Sequence, residues 1–72
     1  MTEIKQYWIE DTPKIEDIEE AFKIVKEQNV VVTLRWHVAW SGSYSASIDL
    51  EDTQQLSPTE YFEKHIPHVY GV

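Results

Sequence analysis

The side chains with the greatest capacity for chemistry sit in two adjacent stretches. "LRWHVAW", residues 34–40, holds Arg35, Trp36, His37 and Trp40, and "YSASIDL", residues 44–50, holds Ser45, Ser47 and Asp49. A histidine between a serine and an aspartate is the arrangement that activates a nucleophile. Paired tryptophans offer a platform on which nucleic-acid bases stack. His65 and His68, spaced H-x-x-H, would supply two imidazoles for a metal, with His37 as a third. Thr2 would be an N-terminal nucleophile once Met1 is removed. The elements that carry these residues decide among the readings.

In "NVVVTLRWHVAW" one parity holds Val30, Val32, Leu34, Trp36, Val38 and Trp40, and the other holds Val31, Thr33, Arg35, His37 and Ala39. A period of two with one apolar set describes a strand with one buried face. "SGS" reads as the turn. The second strand repeats the pattern, with Tyr44, Ala46, Ile48 and Leu50 inward and Ser45, Ser47 and Asp49 outward. A shared buried face fixes the parity of the register. With "SGS" as a three-residue loop, Trp40 faces Tyr44, Val38 faces Ala46, Trp36 faces Ile48 and Leu34 faces Leu50. Outside, Arg35 faces Asp49 and His37 faces Ser47.

This register weighs against each chemical reading. Both tryptophans belong to the core, which removes the stacking platform. Arg35 claims Asp49 as an ion pair, the outer face is flat, and no glycine-rich loop offers an oxyanion hole. Metal-binding histidine pairs on helices are spaced i and i+4, whereas Pro67 separates His65 from His68. A processed N-terminal threonine is ordinarily silent. No catalytic residue, metal site or cofactor is expected, and with Gly42 and Gly71 the sole glycines a phosphate-cradling loop is excluded.

The remaining elements follow from local signals. "EIKQYWIED" reads as a first strand, through Tyr7, Trp8 and Ile9. Thr12 and Pro13 read as N-cap and first position of a helix, along which Ile15, Ile18, Ala21, Phe22 and Val25 form one apolar stripe. Glu16, Asp17, Glu19 and Glu20 precede Lys23 and Lys26, an order that complements the helix dipole, and Asn29 closes the helix. "EDTQQ" reads as a polar connection. Ser57, Pro58 and Glu60 form a complete helix start, Leu56 and Tyr61 are placed as its hydrophobic staple, and Pro67 stops it after about two turns. "HVYGV" reads equally as strand or coil.

The expected fold is therefore a single α+β domain over residues 1–72. It has a small antiparallel or mixed sheet in β-α-β-β-α order, a long helix on one face and a short C-terminal helix. With 72 residues and no cysteine, the core is small and has no disulfide to support it. A net charge of −7 repels phosphates and argues against direct nucleic-acid binding. No apolar stretch approaches the ~18 residues of a membrane span, and "MTEIKQYW" lacks the basic start and apolar run of a signal peptide. A cytoplasmic location is expected.

The functional expectation is a non-enzymatic protein-interaction module that self-associates as a homodimer. Its binding surface is the outer sheet face, with Arg35, His37, Ala39, Ser45, Ser47 and Asp49. An acidic inhibitor of a nucleic-acid-binding protein is the second reading. A small enzyme or metal protein is the third.

Overall fold

The computed structural model describes residues 3–66. The elements run β1 (Ile4–Ile9), α1 (Ile15–Gln28), β2 (Val31–Val38), β3 (Gly42–Ile48), α2 (Leu50–Gln55) and α3 (Pro58–His65). They form a small α+β fold with a three-stranded mixed sheet in the order β1-β2-β3. β1 runs parallel to β2, with Ile4 opposite Val31 and Ile9 opposite Trp36. The helix between them carries the chain back across the sheet, so the second strand re-enters in the direction of the first. β3 returns antiparallel through a tight hairpin.

α1 starts two residues later than Thr12 and Pro13 suggest. Lys14 is the N-cap, and its own N–H donates to Asp17 Oδ2 at 2.8 Å. Asp17 at the third helical position thus decides the start. Asn29 closes the helix in the left-handed conformation (φ 53°, ψ 51°), its N–H donating to the Val25 carbonyl. α3 starts as its sequence indicates. Ser57 Oγ accepts from Glu60 N–H at 3.2 Å, and Glu60 Oε1 accepts from Ser57 N–H at 3.0 Å. The Ser57 backbone bond, with its side chain adding to it, holds the Glu60 carboxyl below the usual range. His68 and the "HVYGV" segment lie outside the described residues, as does Thr2.

The hairpin is where the structure departs most from the sequence reading. Trp36 faces Tyr44, not Ile48; Val32 faces Ile48; Leu34 faces Ala46, not Leu50; and Val38 faces Gly42, not Ala46. The turn is Ala39-Trp40-Ser41 instead of "SGS", closed by Ser41 N–H donating to the Val38 carbonyl at 3.0 Å. Gly42 follows with φ 108°, a conformation that L side chains rarely adopt. Each partner moves by four positions, so parity is kept and every residue within the ladder stays on its expected face. Trp40 does not: it leaves the core and is 75 % exposed in the turn.

The "EDTQQ" stretch is helix, not connection. Asp49 is its N-cap: Asp49 Oδ1 accepts from Asp52 N–H at 2.9 Å, and Asp52 Oδ2 accepts from Asp49 N–H at 3.1 Å. This reciprocal pair pulls Asp49 out of the strand and puts Leu50 at the first helical position.

The core lies between the sheet and the helices. Ile18, Phe22 and Val25 of α1 meet Val32, Leu34 and Trp36 of β2, Ile48 of β3, and Tyr61 and Ile66 from the α3 end. Trp36 stacks on Tyr44 with ring centroids 6.0 Å apart. Tyr61 meets Phe22 edge-on at 5.8 Å, and its Oη donates to the Ser47 carbonyl at 2.8 Å. α3 is thereby fastened to the outermost strand.

Two outcomes check this packing. Trp36→Ala should cost about 3–5 kcal/mol, enough to unfold a domain of this size, whereas Trp40→Ala should leave the melting temperature within a few degrees of wild type. Equal losses in thermal melts would contradict the placement of Trp40 in the turn. Desolvation, with the Asp52 and Asp49 carboxylates adding to it, pushes the Tyr61 hydroxyl up to about 12 from 10.0. Its folded pKa is raised, so the associated stability is full below pH 10 and disappears as pH rises through about 12. Tyr61→Phe should remove this alkaline sensitivity and cost roughly 0.5–1.5 kcal/mol at neutral pH through the lost bond to Ser47. An absorbance titration of the wild type should show one late-titrating tyrosine that the variant lacks.

Candidate binding surfaces

The helices cover one side of the sheet, and among the described residues nothing covers the other, bare side. β1 turns Ile4, Gln6 and Trp8 to it, β2 turns Val31, Thr33, Arg35 and His37, and β3 turns Ser43, Ser45 and Ser47. Ile4 is 61 % exposed and Trp8 66 % exposed. The Arg35 guanidinium sits over the Trp8 ring, 5.1 Å from its centroid, a cation–π contact across the parallel pair. Thr33 and Ser47 hydroxyls are 3.0 Å apart, so one donates to the other. His37 Nδ1 is 3.5 Å from Ser43 Oγ. None of the strand residues on this face is acidic, although the chain carries thirteen acids.

Four of the six residues expected here share the face: Arg35, His37, Ser45 and Ser47. Ala39 belongs to the turn and Asp49 caps α2, so neither is part of it. Arg35 faces Ser45 and not Asp49, and His37 faces Ser43 and not Ser47. The serine–histidine–aspartate constellation therefore does not assemble. The missed contributors are Ile4 and Trp8. Their signal was the strand pattern of "EIKQYWIED", which gives no pairing partner by itself.

On the helix side of β1 the sheet is incompletely covered. Of the strands, α1 packs mainly over β2 and β3, leaving a groove of about 210 Å³ between α1 and β1. Tyr7, Trp8 and Ile9 of β1 line one side, Ala21 and Ile24 of α1 the other, with Val32 and Leu34 of β2 between them and Asp17 and Glu20 also in the lining. A second depression of about 450 Å³ lies at the carboxyl ends of β1 and β2, where Glu10, Asp11 and His37 surround the exposed Trp40.

The His65 ring lies against Tyr61, with centroids 4.4 Å apart and planes tilted by 31°. Among the described residues no group of three histidine, cysteine or acidic side chains could hold a metal ion. No described helix is long and apolar enough to cross a membrane. No protein-family model matches this chain, and no curated protein or solved structure matches it significantly.

Zinc, nickel or copper should accordingly leave the melting temperature unchanged. A rise abolished by His65→Ala and His68→Ala together would establish a metal site that the described residues do not display.

Proposed function

We propose that this chain is a non-enzymatic protein-interaction module that self-associates through the bare sheet face. The observation that carries the reading is the composition of that face. Interface cores are rich in aromatics and arginine and poor in lysine, aspartate and glutamate. Here Trp8, Ile4 and Arg35 stand among small hydroxyl residues with no carboxylate, in a chain of net charge −7.

The same charge favours a second copy on this face. Two such chains repel one another overall, and the acid-free face is where contact opposes no carboxylates. Sheets pack well face to face, and a two-fold pair is the commonest homo-oligomer. The face is smaller than the ~20–30 residues a side of a standard interface, so the reading is of a weak, concentration-dependent pair. The reading as an acidic inhibitor has weaker support, since the acids that open α1 precede Lys23 and Lys26 in an order that the helix dipole already accounts for.

Sedimentation at concentrations above the dissociation constant should give roughly twice the 8.5 kDa chain mass. Melting temperature should rise with protein concentration. Ser45→Lys or Ser47→Lys should return the protein to monomers, whereas Ala39→Lys, in the turn, should not. A protein that stays monomeric at the highest attainable concentration, melting independently of dilution, would overturn self-association.

A further inference from the structure

We infer that the groove between β1 and α1 binds an extended, lysine- or arginine-bearing segment of a partner protein, laid along the free edge of β1. Among the described residues no strand pairs with the outer side of β1. Its backbone N–H and C=O groups on that side can therefore pair with an added strand. Apolar exposure also concentrates there: Ile4, Tyr7 and Trp8 are three of the five large apolar side chains exposed among the described residues. The opposite edge of the sheet is different in kind. β3 alternates serines along the chain, and Tyr61 engages its Ser47 carbonyl.

Size and charge select the occupant. At about 210 Å³ the groove is smaller than the ~300–1,000 Å³ of small-molecule pockets, which suits one or two side chains instead of a free ligand. Its lining is mostly apolar, with Asp17 and Glu20 in it, and no lysine, arginine or histidine lines it. Lys5, on the same side of β1, stands outside the lining. A basic side chain matches both features at once. Its alkyl stem lies on Tyr7 and Ile24 while its charged head reaches the carboxylates. Asp17 Oδ2 already accepts the Lys14 N–H, which leaves Glu20 as the principal counter-charge.

Strand geometry then dictates the pattern of the segment. Successive side chains of an added strand point to opposite faces, so the neighbours of each basic residue fall beside Ile4 and Trp8. Arg35 already occupies Trp8 on that side and repels a second cation. The segment recognised is therefore one alternating basic and apolar residues. The net charge of −7 draws it in from solution.

The probe is a short fluorescein-labelled peptide alternating lysine and valine, titrated against the full chain by fluorescence anisotropy. Binding should saturate at one peptide per chain, and the edge amides of β1 should exchange more slowly with solvent in its presence. Glu20→Lys, on an exposed helix position, should weaken binding about tenfold or more without lowering the melting temperature. Replacing a central valine of the peptide by proline, which cannot donate a backbone hydrogen bond, should weaken it comparably. Unsaturable binding, unchanged affinity in Glu20→Lys, or equal binding of the proline peptide would each overturn the inference. The segment's basic side chains enter the groove and its intervening ones reach Ile4 and Trp8 at the margin of the bare face, so a substitution on β3, at the far edge of that face, separates the two readings. Ser45→Lys should abolish dimerisation and leave peptide affinity unaltered, and its loss of peptide binding would move the peptide to the bare face.

Discussion

The structure depends on the burial of one row of side chains on its central strand. Val32, Leu34 and Trp36 press against Ile18, Phe22 and Val25 of α1, and each such side chain contributes on the order of 1.5–3 kcal/mol when removed from water. β2 is the strand both neighbours pair with, one parallel and one antiparallel. Its buried row therefore fixes the tilt of the helix above and the facing of the strands on either side. The indole of Trp36 fills the most space in this layer, and its Nε1 is buried with no hydrogen-bond partner among the described residues. The core accepts an unsatisfied donor in exchange for the apolar area the ring removes from water.

One consequence of a single helical layer is that the two sides of the sheet are chemically unlike. The covered side excludes charge because it is core. The open side excludes carboxylates even though it meets water, which solubility alone does not require of an acidic chain. The acids instead lie mostly on the helices and the loops beside them, with Glu10 and Asp11 ahead of α1 and Asp49, Glu51, Asp52, Glu60 and Glu63 at α2 and α3. The fold thus separates an acidic exterior from an acid-free sheet face with one stacked arginine, and the two proposed contacts meet only at β1.

Much of this was legible in the sequence, and the part that was not has a definite physical cause. The facing of the ladder residues followed from a period of two, which survives any even shift. The register did not, because facing constrains the sum of paired numbers only to be even, and pairings four apart satisfy it equally. Trp40 tipped the choice, since its hydrophobicity argued for burial. The backbone instead turns at Ala39-Trp40-Ser41 and places Gly42 where φ is positive. Asp49 was misread for a similar reason. Its strand parity concealed an aspartate pair spaced for reciprocal capping with Asp52. The starts and ends of helices were legible where the residue type marks the cap, as in the left-handed Asn29 and the reciprocal pair of Ser57 with Glu60. The direction of β1 was not, because it depends on a contact made across an entire helix.

That same long-range contact orders the assembly of the fold. Val38 meets Gly42 across a tight turn, whereas Ile4 meets Val31 on the far side of α1. Closing the longer loop costs more chain entropy and is repaid by a pairing on one edge alone. The hairpin pairs locally, whereas β1 reaches the sheet only once α1 has brought the chain back beside it. As an edge strand paired on one side, β1 opens locally at lower cost than the central strand. The strand richest in exposed apolar side chains among those described is thus also the one with the shorter ladder. Any partner that captures it when open gains a second route to the sheet, by taking its place beside β2.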